Sequence, residues 1–193
     1  MVQSFVGHLL LSMPRLKGEP FANSVVLICQ HDAEGSMGLI LNKPQKIAVL
    51  DVLQDLKLIE SDGAMAAQSC EALQGVASYS GGPVDPFRGF VLHDSWNIYE
   101  STMKVSDEVH LTSSRDVLEE IGRGEGPQHY RLILGYAGWG AGQLEQELAE
   151  NAWLVIPSSP SLVFYADPRF QWQLTAQSLG IEKMHLSSEV GHS

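Results

Sequence analysis

Residues 24–42 read SVVLICQHDAEGSMGLILN, and the fold follows from how this stretch is divided. SVVLICQH is a short apolar run rich in β-branched residues, and DAEGS supplies turn formers. SMGLILN then resumes with Met37, Leu39 and Leu41 on alternate positions. Two such runs across a four- or five-residue loop predict a β-hairpin over 24–31 and 36–42, closed by Pro44. Working outward, GHLLLSMP before it reads as a further strand, joined through the loop KGEPFAN. A sheet that begins with hairpins favours an α+β fold with a largely antiparallel sheet over a doubly wound one.

Beyond the hairpin the pattern changes period. Val49, Val52, Leu53 and Leu56 fall on one face of a helix at about 47–57. Residues 60–75 are weakly patterned and read equally as a loop or a short amphipathic helix. RGFVLH is a strand, and 96–114 is strand material with turns. A helix follows, with Ser113 as its expected N-cap, Asp116 as capping partner, and Gly122 as its stop. HYRLILGYAG is a strand, AGQLEQELAEN a helix and AWLVIP a strand. Asp167 and Pro168 suit the N-cap and first turn of a last helix carrying Trp172, Thr175, Ala176 and Leu179 on one face. No repeat or interior linker is visible, so one domain over 1–182 with a frayed tail at 183–193 is expected.

The chain has 193 residues and a formal net charge of −11, with 12 basic against 23 acidic residues. The basic residues are scattered, the closest sets being Arg15/Lys17 and Lys43/Lys46. Nucleic-acid affinity comes mainly from clustered Lys and Arg, so this balance argues against direct DNA binding. No apolar run approaches the roughly 20 residues of a membrane span. The first residues lack the basic segment and cleavage site of a secretion signal, and the two cysteines lie in no ligand or disulfide pattern. A cytoplasmic protein without membrane attachment is the expectation.

Several segments carry polar residues on glycine-rich backbone. YSGGPVDPFRGFVLH, residues 79–93, combines Gly81, Gly82 and Pro83 with Arg88 and His93. It lacks the lysine and Ser/Thr of a phosphate-binding loop. Arg88 suits either a carboxylate or phosphate ligand, or bracing of the turn through backbone carbonyls. GYAGWGAG, residues 135–142, lies between a strand and a helix, where a dinucleotide-binding turn belongs. Its glycine spacing is GxGxG rather than GxGxxG, Trp139 is bulky, and the next strand ends without an acid for a ribose. A tight strand-to-helix turn with Trp139 packed inward is the reading. Ser36, Ser80, Ser113 and Cys29 could serve as nucleophiles and His31 or His93 as bases, yet no nucleophile elbow or triad order is present. The histidines show no HxH or HExxH spacing, so no metal site is expected. Glu145, Glu147 and Glu150 read as a solvated helix face, with Glu145 suited to the helix start.

Taken in order, LLLSMPRL…FANSVVLICQH, SMGLILNKP, YSGGPV…RGFVLH, LTSSRDVLEEIGRGEGP and LGYAGWGAGQLEQELAENAWL resemble the YqgE/AlgH family over about residues 6–182. The resemblance implies a single compact α+β domain on a coiled, bifurcated β-sheet. It carries a label of transcriptional regulator, inherited from a member linked to alginate synthesis, and no catalytic residue or cofactor. The expected ligand-binding set drawn from these motifs is Asn42, Gly81, Gly82, Arg88, His93, Ser113, Tyr136, Trp139 and Gln143. Two function classes stand: a non-enzymatic protein binding an unknown protein or small-molecule partner with an indirect regulatory role, and an enzyme with a cleft around Arg88 and His93.

Overall fold

The computed structural model describes residues 4–59, 64–94 and 96–180; the expected tail at 183–193 lies outside them. The expected hairpin is present as β2 (Val25–Asp32) and β3 (Gly35–Ile40). β1 (His8–Ser12) pairs with β2 on one side and with β10 (Trp153–Pro157) on the other, both antiparallel. Pro44 does not only close the hairpin. It opens β4 (Pro44–Ala48), which pairs with β5 (Ala77–Ser80). β6 (Val84–His93), β7 (Thr102–Lys104), β8 (His110–Thr112) and β9 (Tyr130–Gly140) complete the strands. Among the described residues these form one ten-stranded sheet in the order β10-β1-β2-β3-β9-β6-β8-β7, with β4 and β5 off this path. Every pairing is antiparallel except β5 with β9.

The division of the sheet occurs on β9. One edge of β9 is taken by β6, which pairs with it from Tyr130 to Tyr136. The other edge is shared: β5 lies beside Ile133 and Leu134, and β3 beside Ala137 to Gly140. The sheet is therefore forked, as the resemblance implied. Backbones approach closely at the fork, and glycines permit it. A Cβ on Gly81 would lie 2.2 Å from the Gly135 carbonyl oxygen, and Gly135 has φ of 76°.

The long arm is buried on both faces, which explains why its strands read as nearly continuous apolar runs. Leu9, Leu11, Leu27, Leu39 and Leu41 face a core with Phe90, Leu92, Ile133 and Trp172. Leu10, Val26, Ile28 and Ile40 face the opposite core with Trp139, Leu144 and Trp153. A third core lies under the helices α1 (Val49–Asp55), α2 (Ala64–Leu73) and α3 (Asp116–Arg123), against Val91 and Leu132. Within the described part of the stretch 60–75, α2 decides for a helix at Ala64–Leu73, while residues 60–63 lie outside the described residues.

Three helix boundaries differ from expectation. α3 begins at Asp116, not after a Ser113 cap. Ser114 and Asp116 instead hold the preceding turn: Asp116 accepts the Glu100 N–H at 2.7 Å, and Ser114 Oγ accepts the Ser101 N–H at 3.0 Å. α3 continues past Gly122 and stops at Gly124, whose φ of 76° forms the left-handed cap. The last helix, α5 (Gln171–Gln177), starts later than Asp167, because a π-helical turn at Ser161–Tyr165 and a tight turn at Asp167 precede it. Trp172, Thr175 and Ala176 are buried as expected, whereas Leu179 is 44% exposed beyond the helix end. Finally, β9 runs through Gly138 to Gly140, so the turn into α4 (Gln143–Ala149) is confined to residues 141–142.

Candidate functional site

The motif around Gly81–Arg88 makes a bulge beside the fork. Val84 pairs with Tyr136, and the next pair is Gly89 with Leu134. Asp85, Pro86, Phe87 and Arg88 thus stand against Gly135 alone, and Asp85 takes a φ of 43°. Such an excess of residues on one strand turns side chains out of the ladder. Phe87 is 93% exposed as a result. Sequential residues of a strand point to opposite faces, so Phe87 and Arg88 divide between two concavities.

On one face a concavity of about 370 Å³ is lined by Gln30, Met37, Arg88, Phe90, Ser113 and Tyr136, among others. The Arg88 guanidinium lies 5.2 Å from the Phe90 ring centre, and Tyr136 meets that ring edge-on. No carboxylate pairs with Arg88 among the described residues. Arg15, Arg115, Arg123 and Arg169 are matched with Glu150, Glu119, Glu125 and Asp167. On the other face an apolar groove of about 570 Å³ runs past Phe87, Val91, Leu118, Leu132 and Leu134 to Arg115. Ser113 lines both concavities.

The remaining expected residues lie elsewhere. His93 is fully buried; its Nε2 is 2.8 Å from Thr112 Oγ1, and its ring packs against Tyr99 and His110. It is five positions from Arg88 on β6, hence on the opposite face, and the two share no cleft. Asn42 joins chain segments, accepting the Val25 N–H and donating to the Asn23 carbonyl at 3.0 and 2.8 Å. Gly81 and Gly82 shape the fork. Trp139 lies at the far end of β9 and Gln143 at the start of α4. There, Glu147 Oε2 accepts the indole N–H groups of Trp139 and Trp153 at 2.9 and 2.8 Å, while Gln143 donates to Glu147 Oε1. Glu147 is therefore an anchor rather than only part of a solvated face. Glu145 likewise pairs with His31 Nε2 at 2.8 Å; the helix-start amide and His31 hold its carboxyl below the usual range.

The possible nucleophile Cys29 is buried, and burial pushes its thiol up to about 12, which keeps it protonated at neutral pH. Among the described residues no group of three or more His, Cys, Asp or Glu side chains could hold a metal ion. No described helix is long and apolar enough to cross a membrane. Sequence reasoning missed Phe87, although an aromatic residue between Pro86 and Arg88 in a turn-rich stretch was a legible sign of exposure. It also missed Glu147, whose indole partners no local pattern reveals.

A forked, largely antiparallel sheet with this glycine crossing and flanking helices defines an α+β protein. The AlgH-like DUF179 family model matches residues 9–184, and the chain belongs to this family. A UPF0301 protein of Stenotrophomonas maltophilia is 42% identical over 189 residues, 98% of this chain and 96% of its own length. One from Idiomarina loihiensis is 40% identical and aligns over the whole of both chains. The solution structure of AlgH from Pseudomonas aeruginosa is similar with a TM-score of 0.77, at 38% identity and full coverage of both chains. A Corynebacterium diphtheriae protein at 23% identity shares the fold, with a TM-score of 0.69 over 91% of this chain and 87% of its own. None of these designations names an activity.

Proposed function

We propose that the protein is a non-enzymatic, cytoplasmic binding protein with an indirect regulatory role, and that it engages a protein partner across the β6 bulge. The observation that carries this reading is the pair Phe87–Arg88: an aromatic ring 93% exposed beside an arginine without a carboxylate partner among the described residues. Aromatic and arginine side chains dominate binding energy at protein interfaces. Arg88 suits a carboxylate of the partner, because its guanidinium presents several donors in a fixed plane. The apolar groove beside Phe87 suits an apolar side chain of the same segment. The separation of Arg88 from His93 and the protonated Cys29 favour binding over catalysis.

The test is selection of peptides from a random library on the full chain, with counter-selection on a Phe87→Ser/Arg88→Glu variant. Enriched peptides should pair an acidic with an apolar residue and lose binding to the variant. Absence of enrichment, or equal binding to both proteins, refutes the reading.

A further inference from the structure

A second arginine raises a separate question, independent of the β6 bulge. Arg131 is only 6% exposed, near the start of β9. Its Nη1 donates to the Leu41 carbonyl at 2.6 Å and to Gln171 Oε1 at 3.0 Å, and its Nη2 donates to the Ala166 carbonyl at 2.8 Å. Every one of these acceptors is neutral. A guanidinium has five N–H groups, so Nε–H and one Nη2–H remain without an acceptor among the described residues. Among the described residues no carboxylate lies within ion-pair distance of it. A buried charge is ordinarily paired, because its desolvation is otherwise uncompensated.

Arg131 lines a concavity of about 460 Å³, together with Tyr79, Tyr130, Tyr165 and Asp167. Its guanidinium lies 4.8 Å from the Tyr79 ring centre. Asp167, the acid on this wall, is already held by Arg169 at 2.7 Å. Burial pushes the Tyr130 phenol up to about 12, so its hydroxyl keeps its proton and can donate a hydrogen bond. The volume falls in the range of small-ligand sites, which combine apolar walls with a few placed polar groups.

The geometry points to an oxyanion-binding site at Arg131: a small organic carboxylate or phosphate ester, its charged oxygens on the unclaimed guanidinium N–H groups and its body against the tyrosine rings. None of the bulge residues lines this concavity.

The experiment follows the Arg131 Nε–H resonance of the ¹⁵N-labelled full chain, assigned through its own side-chain correlations. Benzoate and phenyl phosphate are titrated in separate arms, with chloride at matched ionic strength as control. A saturable shift with either probe, absent with chloride, supports the site and identifies the favoured oxyanion. Tyr165→Glu places a like charge on the wall without removing any Arg131 bond, and should weaken the probe about tenfold or more. No shift, a shift equal to that in chloride, or unchanged affinity in Tyr165→Glu overturns the inference. Failure of the peptide selection leaves this result unaffected, since the two linings share only Leu132, and neither Phe87 nor Arg88 lines the Arg131 concavity.

Discussion

A Cβ at position 82 would sit 2.3 Å from both the carbonyl carbon and the oxygen of Tyr136, and 2.4 Å from the Ala137 nitrogen. All three are backbone atoms in the strand that joins the sheet's arms, so no side-chain rotation relieves the clash. Gly89, seven residues on, offers a control: a Cβ there would touch only Leu134 Cδ2 at 3.8 Å. Gly82→Ala should destabilise the protein by about 3 kcal/mol or more, and Gly89→Ala by under about 1 kcal/mol. Urea midpoints of the two variants measure the contrast. Asp116 gives a residue-scale pH effect. Partial burial acts to raise its pKa, but the Ser114 hydroxyl and the Glu100 and Val117 N–H groups outweigh it and hold the pKa below 3.8. A carboxyl lowered by folding adds stability above its unfolded pKa and loses it as pH falls through the folded value. Asp116→Asn should therefore show a smaller drop in urea midpoint between pH 6 and pH 2.5 than the unsubstituted protein.

At the scale of elements, α4 is tied to β9 and β10 through one carboxylate. Glu147→Ala removes the acceptor shared by Trp139 and Trp153, both buried. A loss of about 3–6 kcal/mol is expected, the range for two hydrogen bonds to a charged group. Rehydration of the indoles should shift tryptophan emission to the red, and unchanged emission would refute the shared anchor. This scale also shows what the sequence could reveal. The β2–β3 hairpin was legible because DAEGS is a local turn signal between apolar runs. The start of α3 was not, because Ser114 and Asp116 serve Glu100 and Ser101. From sequence alone a capping residue looks the same whichever amide it accepts.

For the whole molecule, the fork was legible only through resemblance to a family. Gly81 and Gly82 signalled an unusual backbone, but the strand they cross begins near residue 130, and no local period encodes that distance. The candidate site was partly legible: Arg88, Ser113 and Tyr136 meet in one concavity, while His93, Trp139 and Gln143 do not join them. Charge is the property that acts at this scale. With a formal net charge of −11 and scattered cations, the protein should not retard duplex promoter DNA in a gel at about 50 mM salt, where phosphate contacts are strongest. Retardation that weakens steeply with added salt would show direct binding instead.

The strand at the fork also governs the order in which the molecule can assemble. β9 joins partners at residues 35–38, 79–80 and 84–93, and β1 closes against β10 with His8 beside Pro157. During synthesis the early hairpin therefore emerges with its β3 edge open until residues 130–140 have left the ribosome. Distant pairings of this kind slow folding and expose strand edges meanwhile. The nascent chain is thus most exposed to aggregation after the first hairpin has formed and before its central neighbour has been made.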